Sequence, residues 1–540
     1  MRAGIELAIY LDYAATTPVD PRVATAMAEC LADPAWQANP ASATHGLGRA
    51  VNERIEAVRR DVAAWIGAEP RELIFTSGAT ESNNLALLGV AAAARRSRAV
   101  GAPKTTARGH FVSSRVEHKS VLDALKQLER DGFAVTLLEP DEQGRVPPEA
   151  VRTALRADTL LVSLMLVNNE IGVINDVAAV GRLAAERGFL LHTDASQAAG
   201  KLPVDVTALG VDFLSLTAHK FYGPKGSGAL YVRERARPCI APIQFGGGHE
   251  RGLRSGTLPT HQIVGLGVAV ALARENLERD AAHARDLAAR LCRELETIPD
   301  VEFNSSREHG VPGLVNVSFP GVEGESLISG LSGIAVSTGS ACSTATRESS
   351  YVLRALGRDT ELAQSSLRIS LGRFTSAADV DAAATAIRHE VARLRVLAGD
   401  AAAGVGESAD PAPGSLLCRV LSPDTRRYFL APARLPEYSF GGAPAGYGQG
   451  RAGKAADGTA IEFELKITDG IVKSARFSAY GCPHTLAVVQ WLSEVLEGSR
   501  LENLTAGLGT PADWAAKFEV PPEKLGRLLI VEDALSAALR

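Results

Sequence analysis

Between Phe111 and Lys220 the chain repeats one pattern: a short apolar run, a polar residue at its end, then a stretch at helical spacing. FVSS, AVTLL, TLLVSLML, FLLHTD and VDFLSLT are nearly continuous in apolar character, as strands covered on both faces must be. KSVLDALKQL and the segment near Val177 to Arg187 supply helices between them. This order predicts a mostly parallel α/β sheet, in which a site lies off the carboxyl ends of the strands. His118, Asn169, Asp194, Gln197, Thr217, His219 and Lys220 all fall at or just beyond such ends.

Upstream, IYLDYAATTPVDP reads as a short strand running into a turn, and the segment to Trp65 as helices broken at Asp-Pro and Asn-Pro. A strand is expected over Leu73 to Thr76, then a Ser77-Gly78-Ala79-Thr80 turn opening a helix with Glu81 in its first turn. Small residues at such a turn let free N–H groups reach a phosphate at the positive end of the helix. A tight turn alone explains the motif as often. Arg95 to Gly109 carries five cations and no acid, the mark of a solvated basic loop.

Downstream, Gln262 to about Arg293 predicts a connector helix, followed by a second α/β region from Val301 to about Leu397. Ala401 to Gly414, rich in Gly, Ala and Pro, reads as a linker. Beyond it come aromatic and proline-rich coil, two strands IEFELKI and IVKSARFSAY joined at Asp469-Gly470, and helices after Gly481-Cys482-Pro483. The expected organisation is a large domain with an N-terminal arm over 1–261 and a connector with a small domain over 262–400. A linker over 401–414 and a C-terminal α+β domain over 415–540 complete it.

The 540 residues suffice for three or four units with their own cores. A net charge of −5 gives no sign of nucleic acid or an anionic membrane as a partner. No apolar stretch reaches the roughly 18 residues of a membrane span, and no basic segment with an apolar core opens the chain, so a cytoplasmic protein is expected. Cys30, Cys239, Cys292, Cys342, Cys418 and Cys482 stand singly, without metal-ligand spacing, so neither a disulfide framework nor a structural metal is expected.

Lys220 follows a buried strand, where lost solvation turns an ammonium into a nucleophilic amine able to capture an aldehyde cofactor. That cofactor is pyridoxal phosphate. Its ring nitrogen needs an acid, for which Asp194 is the candidate, and its face needs a cover that can move protons, for which His118 is. Cys342 lies in Ser-Thr-Gly-Ser-Ala-Cys-Ser-Thr, small polar residues that suit a reactive thiol on a mobile loop rather than a core cysteine. Arg368 offers the planar fork that grips a carboxylate.

YLDYAATTP, TSGATESNN, EHKSVLDAL, VNNEIGVI, HTDASQ, AHKFYGPKGSGALYV, GGGHERGLRSGTLP, GSACS and SYVLRALG together resemble the cysteine desulfurases of the NifS/IscS branch. These belong to the class V aminotransferase-like, fold type I pyridoxal phosphate enzymes. The likeness runs from about Ile9 to Leu397. It implies that Lys220 binds the cofactor covalently, Asp194 pairs with the ring nitrogen, Gln197 with the ring hydroxyl, and His118 stacks and shuttles protons. It implies phosphate contacts from Ala79, Thr80, Thr217, His219 and, in a homodimer, Thr257 of the partner subunit. Family members more often have serine where Thr217 stands. Asn169 and Arg368 would hold the carboxylate of L-cysteine, and Cys342 would take its sulfur as a persulfide, leaving alanine. Selenocysteine lysis or transamination is the alternative that the shared fold permits.

Past the linker, RRYFLAPARLPE, ARFSAYGCPHTLA and PPEKLGRLLIVEDALSAAL resemble the NifU/IscU-type iron–sulfur scaffolds. Those carry three cysteines, and here only Cys482 remains. The first position falls in GKAADGT and the last aligns with Gly526-Arg527. One thiol with Asp457 and His484 does not make a cluster site, so no metal is expected. The domain is read as a docking, regulatory or sulfur-accepting module, with Cys482 a candidate sulfur acceptor. Sulfur-acceptor proteins, an iron–sulfur scaffold among them, are the expected partners.

Overall fold

The computed structural model describes residues 9–97, 109–331, 333–338, 349–400 and 421–540. Strand β1 (Ile9–Tyr10) opens the chain. A seven-stranded sheet follows, built from β2 (Leu73–Thr76), β3 (His110–Ser114), β4 (Ala134–Leu138), β5 (Thr159–Ser163), β6 (Leu190–Asp194), β7 (Phe213–Thr217) and β8 (Gly228–Val232). Their order is β2-β8-β7-β6-β5-β3-β4, with only β8 antiparallel to its neighbours.

Successive side chains of a strand point to opposite faces, and the two faces need separate cores. Phe111, Leu161 and Phe213 enter one, with the helices Ala79–Ser97 and Lys119–Arg130 over it. Val112, Val162 and Leu214 enter the other, covered by Gly46–Trp65, Val177–Arg187 and the long connector helix Thr260–Leu295. Near-continuous apolar strands are the consequence of this double cover.

The second region holds β9 (Glu302–Phe303), β10 (Leu314–Ser318), β11 (Ile334–Ala335) and β12 (Ser366–Ser370). β12-β10-β9 form an antiparallel sheet, and β11 pairs with β1, so the N-terminal arm is clasped by the small domain. Ser370 N also donates to Leu11 O at 2.7 Å. This clasp carries the arm past the ends of β6 and β7.

The C-terminal domain is a meander of β13 (Tyr447–Lys454), β14 (Thr459–Thr468) and β15 (Ile471–Tyr480), packed on the helices Pro483–Leu496 and Leu525–Ala538. Asp469 and Gly470 both take positive φ, 53° and 68°, as a tight hairpin turn demands. β13 and the helix Pro423–Phe429 lie partly in the stretch that the sequence reads as coil. The strand is hidden by Gly448, Gly450 and Gly453, residues of poor strand propensity. They are needed because the terminal helix lies against the strand backbone: a Cβ on Gly450 would come within 2.0 Å of Ala534 O. The small domain and this domain share one apolar core, running from Leu291, Val317 and Leu394 through Phe429 to Phe463 and Val488.

Candidate active site

A cavity of about 520 Å³ opens off the carboxyl ends of β5, β6 and β7. Ala79, Thr80, His118, Asn169, Asp194, Gln197, Thr217, His219, Lys220 and Arg368 all line it. Residues scattered from 79 to 368 thus meet at one place. Thr257 does not line it and is exposed on the loop before the connector helix. Cys342 lies outside the described residues, and Cys482 is buried in the C-terminal domain.

Lys220 ends the 3-10 turn that follows β7. Its Nζ donates to the carbonyls of Ala14 and Ala15, at 2.5 and 2.8 Å, both on the arm clasped by the small domain. His219 beside it is pushed down to about 4 by burial and by the Lys220 and Lys225 cations. Near neutrality it is therefore an uncharged ring offering one N–H.

Asp194 ends β6, nearly buried, and its carboxylate is fixed on both oxygens. Oδ1 accepts from Ser196 N at 2.9 Å and Oδ2 from Asn83 Nδ2 at 2.7 Å. The same Asn83 amide donates to Ser120 Oγ at 2.9 Å, and Ser120 Oγ lies 2.8 Å from His118 Nδ1. Because Ser120 N donates to Nδ1, the proton of neutral His118 sits on Nε2. One chain of contacts therefore sets both the carboxylate and the imidazole tautomer.

The turn Ser77-Gly78-Ala79-Thr80 brings the N-terminus of the helix Ala79–Ser97 to the opposite wall. Gly78 takes φ +150°, which a side chain would strain. With Lys225, Lys220, Arg368 and this helix end, the lining favours anionic ligands.

Arg368 is held from behind. Its Nη2 donates to Asp12 Oδ1 at 2.9 Å and its Nη1 to Asn169 O at 3.0 Å, while Ser337 Oγ donates to Asp12 Oδ2 at 2.7 Å. Arg368 Nε, Asn169 Oδ1 and Ser196 Oγ are buried without a protein partner. Buried polar atoms are rarely left so, and these three lie on cavity residues, where a polar ligand would satisfy them. The lysine, the anchored carboxylate, the helix end and these atoms fit a pyridoxal phosphate with a carboxylate-bearing substrate.

Several neighbours escape a motif reading. Lys201 Nζ donates to Gln197 Oε1 at 2.7 Å, which turns Gln197 Nε2 toward Ala14 O at 2.8 Å and fixes the amide as a donor on that side. Burial and the Lys220 and Arg368 cations push Lys201 down to about 7. Glu170, next to Asn169, is pushed up to about 7 by burial and accepts from Ser350 Oγ at 2.5 Å. Glu117, next to His118, is also raised by burial and accepts from Met165 N at 2.6 Å. Asp12 and Asn83 stand inside YLDYAATTP and TSGATESNN, so those motifs held the signal. Glu170 likewise stands inside VNNEIGVI, whereas nothing local marks Lys201.

Comparison with known proteins follows this geometry. The aminotransferase class-V model matches residues 9–383 and the NifU-like N-terminal domain model matches 439–540. The cysteine desulfurase IscS of Pseudomonas entomophila is 53% identical over 393 residues, covering 73% of this chain and 95% of the relative. That of Aeromonas hydrophila is 53% identical over 391 residues, covering 72% and 94%. Among solved structures, a NifS-like protein is 36% identical with a TM-score of 0.63, covering 70% of this chain and 98% of that one. SspA in complex with cysteine is 37% identical with a TM-score of 0.58, covering 68% and 99%.

Proposed function

Because the chain belongs to the class-V aminotransferase family, in its group of IscS-type cysteine desulfurases, we propose that this cavity takes sulfur from L-cysteine for iron–sulfur cluster assembly. The family depends on pyridoxal phosphate, whose ring, when bound, supplies an electron sink at the substrate's α-carbon. The observation that carries the reading is the meeting of Lys220, Asp194, His118 and Arg368 on one cavity.

Lys220 binds the cofactor through Nζ and holds or moves a proton at that atom. Asp194, anchored by Asn83 and Ser196, orients the ring and keeps its nitrogen protonated. Gln197 meets the ring hydroxyl, and His118 covers the ring and exchanges a proton at Nε2. Ala79, Thr80, Thr217, His219 and the partner subunit's Thr257 take the phosphate. Arg368 and Asn169 take the substrate carboxylate, whose charge the lining favours.

The Cys342 thiolate attacks the substrate sulfur. An S–S bond forms, the Cβ–S bond breaks, and its electron pair stays at Cβ and takes a proton. L-Alanine and a Cys342 persulfide result, the latter passed to a thiol of an acceptor protein. The phosphate contact assigned to the partner subunit's Thr257 requires a homodimer. The free thiols of Cys30, Cys239, Cys292 and Cys482 suit a reducing cytoplasm.

The test is turnover with cysteine and a reductant, followed by alanine analysis and mass spectrometry. Wild type is expected to release alanine and to carry an extra sulfur on Cys342. Lys220→Ala is expected to lose the bound cofactor's yellow colour and all turnover. Alanine release from Cys342→Ala at the wild-type rate would overturn the assigned nucleophile.

A further inference from the structure

Cys482 precedes the helix Pro483–Leu496 and is fully buried at the face where the C-terminal domain meets the small domain. Its first neighbours come from its own domain. The Arg527 guanidinium lies against the Cys482 thiol, and Gly458 sits so near Arg527 that a Cβ there would stand 3.3 Å from Nη2. Thr485 Oγ1 lies 3.3 Å from Sγ.

The small domain closes over this group. Glu323 Oε1 stands 3.6 Å from Arg527 Nη1, and the Glu323 side chain is only 10% exposed. Glu325 pairs with Lys524 beside it. Ser326 Oγ donates to Gly481 O at 2.7 Å, and Tyr480 Oη donates to Val322 O at 3.4 Å. Farther along the same face, Arg393 Nη1 donates to Phe429 O at 3.0 Å with its guanidinium over the Phe429 ring.

A guanidinium whose Nη1 is buried needs an anion, and among the described residues the carboxylate within ion-pair distance of Arg527 is Glu323. Glu323 from the other domain supplies that anion. Glu323 in turn caps the helix Gly324–Gly330, accepting from Ser326 N at 2.8 Å, so it cannot swing away without uncapping that helix. The apolar core continuous across the boundary gives adhesion without direction, whereas the ion pair fixes which pole of the domain faces the enzyme.

We propose that the NifU-like domain is docked on its own chain's small domain by a Glu323–Arg527 latch, which shuts Cys482 away from solvent and from incoming sulfur donors. The small-domain face made by Val322–Ser326 is thus an interaction surface whose resident partner is the fused domain. Cys482 becomes an accessible thiol only when the latch opens.

The test is alkylation of the full-length protein under native conditions, read peptide by peptide by mass spectrometry. Exposed Cys239 and buried Cys30 serve as internal references. Wild-type Cys482 is expected to react as slowly as Cys30. Glu323→Arg and Arg527→Glu should each raise its rate by about a hundredfold or more, as loss of one partner of a buried pair shifts an opening equilibrium. The double exchange should return the rate toward wild type. Glu323→Gln and Arg527→Gln, milder changes, should give smaller rises. Throughout, the amides of β14 and β15 should keep their hydrogen-exchange protection, which separates release from unfolding. Wild-type labelling at the Cys239 rate, single variants that leave Cys482 protected, a double variant that stays fully reactive, or loss of strand protection alongside labelling would each overturn the proposal.

Discussion

The cavity at Lys220 and the pole at Cys482 use the same parts. Each sets the N-terminus of a helix, a nucleophilic side chain and a guanidinium together: Ala79–Ser97 with Lys220 and Arg368, and Pro483–Leu496 with Cys482 and Arg527. They differ in how the charges are met. At the cavity, Arg368 keeps Nε without a partner while Asp12 holds its far side, and Asn169 Oδ1 faces the same space. At the other pole Glu323 arrives from the neighbouring domain and stands 3.6 Å from Arg527 Nη1, an ion pair without a hydrogen bond. A site built for a ligand leaves such atoms on residues that line a cavity, whereas an interface sets an opposite charge of its own chain against them.

The largest effect that would break this comparison concerns the seat of Arg527. Its helix, Leu525–Ala538, lies on β13 only because Gly448 and Gly450 have no side chains; a Cβ on Gly450 would meet Ala534 O at 2.0 Å and Ala538 N at 2.3 Å. Both are backbone atoms of a packed helix, so the helix itself must move. Gly450→Ala should destabilise the C-terminal domain by about 3 kcal/mol, the upper range for overpacking. Chemical denaturation followed by Trp491 and Trp514 fluorescence measures it, and alanine release by the enzyme domain should persist. An unchanged unfolding midpoint would show that the helix is not seated where the latch needs it.

A smaller effect belongs to the open pole. Lys201→Met removes the ammonium that fixes the Gln197 amide. The amide can then turn, presenting Oε1 instead of Nε2 toward the arm, and so toward the cofactor proposed for the cavity. Loss of one charge-assisted hydrogen bond, about 1.5 kcal/mol, should weaken cofactor retention about tenfold. Cofactor release during dialysis measures it. Lys201→Arg, which keeps a donor, should recover most of the loss, and equal loss in both variants would mean that Lys201 serves only packing.

Much of this was open to reading along the chain, and the reasons are local. β5, β6 and β7 declare themselves because both faces are covered, and Asp194 and Lys220 stand where each strand ends. What stayed hidden depends on distance. Asp12 holds Arg368 across 356 positions, and Arg527 meets Glu323 only after two domains fold together. β13 was hidden for a different reason, since the glycines that spoil its strand signature are what let a helix approach. Lys201 carries no motif and Glu170 stands in VNNEIGVI, but the unusual protonation of both comes from burial that periodicity does not specify.

A pH-dependent effect tests that last point at Glu170. Burial raises its carboxyl from 4.5 to about 7, so the folded state holds a proton that the unfolded chain releases between those values. Below pH 4.5 both states are protonated and the group contributes no difference. As pH rises from 4.5 to 7 the unfolded state is favoured, and stability falls by at most about 1.4 kcal/mol per pH unit for this one proton. Glu170→Gln keeps an acceptor for Ser350 Oγ but cannot ionise, so its denaturation free energy should lack this decline. Measured as the difference between wild type and variant at pH 5, 6 and 7, the gap should widen toward neutrality in favour of the variant. A constant gap would mean that Glu170 is already ionised at pH 5 and that the nearby Arg368 and His118 charges outweigh burial. In that case the surroundings of the cavity, like the Cys482 pole, would hold a buried carboxylate beside cations of its own chain.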